Sequence, residues 1–186
     1  YKRKNIKNEI QFKFEILSMT EDEDQKVVDH YQLSPHPEGG WFRRTYSSGN
    51  KVSLDRGERL CGTSIYYYLK HGEKSCLHSI ESDETWYFHF GVSVRLHLFL
   101  KSDYYSIVLG HNWRRGEVVQ FTVIANTIFG AELLGDGGAL MSCSVCPGFI
   151  KEDFHWSSVK KLFLQFPQHH QVIKQLQRHS DQLGEL

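Results

Sequence analysis

From Gly72 to Gly91 the chain reads GEKSCLHSIESDETWYFHFG, a segment in which polar and apolar residues alternate between two glycines. A period of two is the pattern of a half-buried β-strand, because successive side chains leave a strand on opposite faces. If a turn near 81–83 keeps the register, one face carries His78, Ile80, Glu84, Trp86, Phe88 and Phe90. An imidazole and a carboxylate set among aromatic side chains on a strand face demand a sheet that closes around an interior. Trp86, Phe88 and Phe90 then wall a cavity, with His78 and Glu84 as its polar contacts. An apolar pocket with a few converging polar groups is the usual form of a small-molecule site. Taken singly, His78 reads as a satisfied core histidine and Glu84 as a surface carboxylate. At this spacing the pocket is the better reading.

The rest of the chain fits an all-β architecture. Thr20-Glu21-Asp22-Glu23 has the form of a capping box ahead of Val27, Val28 and Tyr31, which predicts a short helix over 22–31. Ser34-Pro-His-Pro-Glu-Gly-Gly40 ends it, since prolines and paired glycines do not continue a helix. Strands are predicted at 41–46, 62–69, 85–90, 94–100, 104–109, 118–124 and 139–145, separated by turns such as Gly135-Asp-Gly-Gly138. Many short strands with regular turns predict a sandwich or barrel, and a jelly roll limits exposed edges. After Pro147-Gly148 the chain is expected to leave the sheet, with a C-terminal helix over 168–183 following Pro167.

Composition narrows the function. Lys plus Arg equals Asp plus Glu at 22 each, so the formal net charge is zero and nothing broad attracts nucleic acid or an acidic membrane surface. No apolar run reaches the ~20 residues that span a bilayer. Cys143-Ser-Val-Cys146 imitates a redox or zinc CxxC, yet it lies in a predicted strand where residues three apart face opposite ways. The cysteines therefore read as buried core thiols, and the compartment as reducing and cytoplasmic. The basic stretch before Met19 has neither a small-residue cleavage site nor a clean apolar core. Residues 1–18 read as a leader or non-native extension, 19–35 as an N-terminal helical segment, 36–156 as the barrel domain and 157–186 as a helical tail.

Two further segments bear on the site. In His36-Pro-Glu-Gly-Gly-Trp-Phe-Arg43, rigid prolines and permissive glycines fix a path that positions Glu38 and Arg43 beside aromatic Trp41. The bland alternative is a structural turn with an ion pair. On the preceding predicted strand, Ser64, Tyr66 and Tyr68 share one face and Ile65, Tyr67 and Leu69 the other. One set faces the cavity, and periodicity does not choose between Tyr66 and Tyr67.

These segments, with Cys61-Gly-Thr-Ser-Ile-Tyr66, Val108-Leu-Gly110, Gly116-Glu-Val-Val-Gln120 and Cys146-Pro-Gly-Phe149, resemble the cupin superfamily, specifically its branch labelled domain of unknown function 985. The resemblance covers residues 30–156. It implies a double-stranded β-helix, a jelly-roll barrel flanked by short N- and C-terminal helices, as a homodimer with a cavity and no settled reaction. Relatives carry Val-Pro-Ala-Gly-x-Trp where this chain has Val123-Ile-Ala-Asn126-Thr-Ile128, and Asn126 retains access to the left-handed turn that glycine would make. Metal-binding cupins supply two His and a Glu from the first motif and a His from the second. Here Ile80 stands at the second His position and Phe129 near the last, leaving His78 and Glu84. Zinc and non-haem iron sites use at least three protein ligands, so no metal cofactor is expected.

The function expected is binding of a small polar, sugar-like molecule. The first reading is a metal-free isomerase, epimerase or lyase with His78 as base, Glu84 polarising it and Tyr66 as acid. Trp41, Arg43, Glu38, Trp86, Phe88 and Phe129 would contact the ligand. A non-catalytic binding module is the second reading and a metal-dependent enzyme the third. No nucleic acid or membrane partner is expected.

Overall fold

The computed structural model describes residues 21–178. Helix α1 (Glu21–Tyr31) lies across one face of a sheet built from β1 (Ser34–Pro35), β2 (Trp41–Ser47), β5 (Thr63–Leu69), β12 (Ala139–Cys146), β7 (Asp83–Gly91) and β10 (Gln120–Val123), in the order β1-β2-β5-β12-β7-β10. A second sheet has the order β13-β6-β11-β8-β9. Its strands are β6 (Lys74–Ile80), β8 (Val94–Leu100), β9 (Asp103–Leu109), β11 (Ile128–Leu133) and β13 (Phe154–Trp156). A hairpin, β3 (Lys51–Leu54) and β4 (Gly57–Leu60), projects between β2 and β5 in the chain. The paired strands within both sheets are antiparallel.

The inner faces of the two sheets meet in a core that includes Tyr67, Leu69, Trp86, Phe88, Leu96, Leu98, Phe129 and Met141. A second cluster forms outside the β6-β11-β8 face, where Leu77 and Phe99 receive Leu162, Phe166, Ile173 and Leu176 from α2 (Val159–Gln165) and α3 (His170–Leu176). A third joins Val28 and Leu33 of the N-terminal segment to Tyr68 and Leu140. Each outer face is thus apolar where a helix covers it, so the strands do not read as simple inside-outside alternation. Among the described residues no helix is long and apolar enough to cross a membrane.

Several sequence expectations need correcting. The tail is two short helices rather than one helix over 168–183: Ser158 caps α2 through the Lys161 amide, α2 ends at Gln165, and Pro167 opens a 3-10 turn before α3. Residues 179–183 of that expectation, like the proposed leader at 1–18, lie outside the described residues. The chain does not leave the sheet after Gly148, because β13 returns to pair with β6. Cys143 and Cys76 are buried, but Cys61 and Cys146 are exposed, and none of the four forms a disulfide. Asn126 has φ of 64°, the left-handed turn anticipated for it, and its amide donates to the Ile80 carbonyl at 2.7 Å.

Candidate functional site

A cavity of about 300 Å³ opens between the two sheets. Its walls are largely aromatic and aliphatic: Phe42, Ile65, Ile80, Trp86, Val145, Phe149, Phe154 and Trp156. Its polar groups are few and specific, chiefly His36, Glu38, Glu84, Cys143, Arg44 and Lys151.

The loop before β2 delivers Glu38. The His36 amide donates to the Gly40 carbonyl at 2.8 Å, the Gly39 amide to the His36 carbonyl at 3.1 Å, and the Cys76 amide of β6 to the Glu38 carbonyl at 2.8 Å. Gly39 has φ of +103°, and a Cβ there would stand 2.2 Å from the Lys74 carbonyl oxygen, so only glycine lets this loop lie on β6. Tyr67 Oη donates to the Gly39 carbonyl at 2.7 Å and fastens the loop from the other side.

Strand β6 receives Glu38 through a bulge. Phe129 pairs with His78 and Ala131 with Ser75, so β6 carries an extra residue between these positions. Cys76, whose Sγ contacts the Gln177 carbonyl, and Leu77, packed under the C-terminal helices, thereby both turn outward. Ser75 and His78 both reach Glu38. Ser75 Oγ lies 3.2 Å from Glu38 Oε2, and His78 Nε2 lies 3.4 Å from Glu38 Oε1. His78 Nδ1 donates to the Cys76 carbonyl at 2.7 Å, which leaves Nε2 as the acceptor of a neutral ring.

Burial governs the charges. It raises the Glu38 pKa well above the ordinary carboxylate value, with the neighbouring Glu84 charge adding to the rise and the Ser75 contact opposing it. Burial drives His78 down to about 3 and His36 to about 4. Glu38 and His78 therefore meet as a carboxylic acid and a neutral imidazole, not as an ion pair. Burial lifts Glu84 to about 7, a rise that Trp86 and the Cys143 thiol partly offset. The buried Trp86 Nε1–H nonetheless has no hydrogen bond of ordinary geometry. Glu84 is the carboxyl that changes charge near neutrality inside the cavity.

The sequence-predicted residues separate into two groups. Glu38, Glu84 and Trp86 line the cavity. His78 is 1 % exposed and sits behind Glu38, stacked on Phe154 with ring centroids 5.2 Å apart, so it does not line the cavity beside Glu84. Phe129 is its other neighbour, at 4.3 Å, and Phe88 lies deeper in the core against His111. Phe90 is on the opposite face from Phe88. β7 has an extra residue where Leu140 pairs with Phe90 and Met141 with Phe88, and Phe90 packs toward Tyr31 of α1.

Tyr66, Trp41 and Arg43 also face outward. Tyr66 packs edge-on to Tyr31 at 5.3 Å, Arg43 lies over the Tyr66 ring, and Trp41 Nε1 donates to Glu73. The physical reason is α1, which supplies an apolar partner to the outer face of β2 and β5 and so claims the tyrosines of that parity. Tyr67 is the inward tyrosine, and Phe42 and Arg44 are the inward residues of β2. Phe149 lies in the Cys146-Pro-Gly-Phe149 motif already singled out, whereas Phe154, Trp156 and Lys151 had no signal beyond a short apolar alternation.

A transition metal does not fit these residues. Among the described residues no three His, Cys, Asp or Glu side chains converge into a metal-holding group. Ile80 offers hydrocarbon to the cavity, and both His78 nitrogens are engaged, with the Cys76 carbonyl and beside Glu38. His97 is held by Tyr104 and Glu132, and His111 contacts the His89 carbonyl, so neither joins Glu84.

Comparison with known proteins agrees with this fold. A hypothetical protein from Leishmania major is similar at 34% identity and a TM-score of 0.78, over 83% of this chain and 98% of that one. A protein from Shewanella oneidensis is similar at 34% identity and a TM-score of 0.77, over 83% of this chain and 96% of its own. None of the curated proteins matches the chain. The family described as Cupin superfamily (DUF985) matches residues 25–157, and the chain belongs to that family.

Proposed function

We propose that the barrel binds a small molecule in the cavity between its sheets and performs metal-free proton transfer on it through Glu84. One observation carries this reading. A carboxyl that burial raises to about 7 lines an apolar cavity of about 300 Å³, beside the buried indole N–H of Trp86, which makes no hydrogen bond of ordinary geometry. A ligand carbonyl or hydroxyl would satisfy Trp86 Nε1, and Glu84 would take a proton from the adjoining carbon as its carboxylate and return it as its acid. Glu38, held neutral by burial, would donate to oxygen as negative charge develops there. That is the chemistry of an isomerase, epimerase or lyase. At about 30 Å³ for a water-sized group, the volume admits about ten non-hydrogen atoms. A reducing, cytoplasmic setting suits four cysteines that form no disulfide.

A second reading, binding without turnover, is favoured by one feature: the Tyr67 hydroxyl and the His78 Nδ1 proton are both committed to backbone carbonyls. One experiment separates the two. The purified full chain is screened against a metabolite collection by thermal shift and turnover, beside Val145→Trp and Ile65→Trp, which fill the cavity, and Glu84→Gln. Stabilisation by a hit is expected to vanish in both cavity-filling variants. Glu84→Gln is expected to keep binding and lose about 10²–10⁴-fold in rate. Undiminished binding in the filled cavities overturns the site, and binding with no turnover in the unaltered protein selects the second reading.

A further inference from the structure

Two cations stand at the edge of this cavity without an acid of their own. Arg44, inward on β2, and Lys151, in the turn before β13, are both exposed residues that also line the cavity, which places them at its rim. Among the described residues neither makes a salt bridge or side-chain hydrogen bond. The nearby acid, Asp153, is spent elsewhere: Arg59 Nη2 donates to its Oδ1 at 2.6 Å and Nε to its Oδ2 at 2.8 Å, and Arg56 lies 3.5 Å away. The depth of the cavity has the opposite character. Two carboxyls, Glu38 and Glu84, line it, and the Glu84 carboxylate would repel a second negative charge on a ligand there.

We propose that the ligand is a small organic monoanion, a ring or short apolar chain with one carboxylate or phosphate, whose anionic group is received by Arg44 and Lys151 while its uncharged polar end enters toward Trp86 and Glu84. The inference rests on the cavity being a ligand site and adds the chemical class. Arg is suited to the planar, two-oxygen acceptor that either acid presents, and Lys adds a point charge beside it. The polarity of the cavity then orients the molecule, its acid outward and its reacting end inward.

The test is calorimetric titration of the purified full chain with matched probes: phenylacetate against phenylacetamide, and phenyl phosphate against phenol. Each anion is expected to bind at least about tenfold tighter than its uncharged counterpart, and the tighter of the two anions names the acid group. Arg44→Gln with Lys151→Gln is expected to abolish that preference while leaving the uncharged probes unchanged. Added salt is expected to weaken only the anions. Uncharged probes binding as tightly as the anions overturn the anionic assignment and leave the cavity site standing, as does a preference that survives in the double variant. Anion binding that persists in Val145→Trp and Ile65→Trp places the anion outside the cavity and overturns both this inference and the reading beneath it. Failure of all four probes to bind also overturns the assignment.

Discussion

Glu84 has exchanged water for Trp86, Cys143 and hydrocarbon, and the consequence is a measurable pH dependence. Its carboxyl is raised from 4.5 to about 7. Between those values the unfolded chain releases a proton that the folded chain keeps. The stability this group contributes is therefore fully present below about pH 4.5 and is lost as pH rises through about 7. At 1.36 kcal/mol per pKa unit the loss is about 3 kcal/mol. Glu84→Gln is neutral at every pH, so its stability relative to the unaltered protein should rise by that amount between pH 4.5 and pH 8, read by urea denaturation. Parallel pH profiles would remove the buried-acid account. Ile80 gives a second prediction at this scale. Replacing it with His adds an imidazole to the cavity that Glu38 and Glu84 line, and zinc affinity measured by calorimetry should rise at least about tenfold. No gain would show that the walls cannot gather a metal-ligand set. Residue identities were legible in the sequence wherever chemistry and spacing coincided: Glu38, Glu84 and Trp86 are at the cavity. His78 was legible as buried and polar, but not as the neutral partner of Glu38, because that contact joins a loop to a strand 40 residues away in sequence.

Strand parity decides which side chains meet, and the bulges decide parity. Plain alternation carries Phe88 and Phe90 to one face and would separate Ser75 from His78. The extra residue in β7 separates the first pair, and the one in β6 joins the second. Neither bulged segment, 75–78 or 88–90, contains glycine or proline, and the one glycine at a bulge, Gly130, lies on the strand opposite the first. The choice between Tyr66 and Tyr67 was likewise hidden, since it depends on α1 covering the outer face. The hairpin β3–β4 has short strands with exposed, charged residues, so it lacked the apolar periodicity that revealed the longer strands. The PHPEGG loop was visible as a special path, and its glycines give the prediction at this scale. Gly39→Ala places a methyl on the Lys74 carbonyl at positive φ and should cost more than about 2 kcal/mol in urea denaturation. Gly49→Ala, with open space around its Cβ, should cost less than about 1 kcal/mol. Equal costs would mean that the loop does not rest on β6 as described.

On the scale of the whole molecule, helices cover the outer face of each sheet, yet apolar side chains remain exposed near the β9 and β10 edges. Trp113 is 72% exposed, Val119 54% and Ile124 56%. Edge strands flanked by apolar surface favour pairing, and two-fold dimers are the commonest closed assembly, so a homodimer is the expected state. Light scattering at micromolar concentration should give twice the chain mass of 21.7 kDa, and Trp113→Glu with Val119→Glu should reduce it to one. A monomer before substitution would refute this. The two-sheet barrel itself was legible because strand periodicity and the motif order pointed to the same fold. The layered helices were less so, because Pro167 splits the tail into turns too short to show a full amphipathic period. The proposed chemistry requires that the barrel enclose a carboxyl poised to exchange a proton with a bound molecule. It is tested most directly by a carbon-13 NMR titration of the glutamate side-chain carboxyls, with Glu84 assigned by the resonance lost in Glu84→Gln. A midpoint near 7 is expected for that resonance. A midpoint at the ordinary carboxylate value of about 4.3 would contradict it.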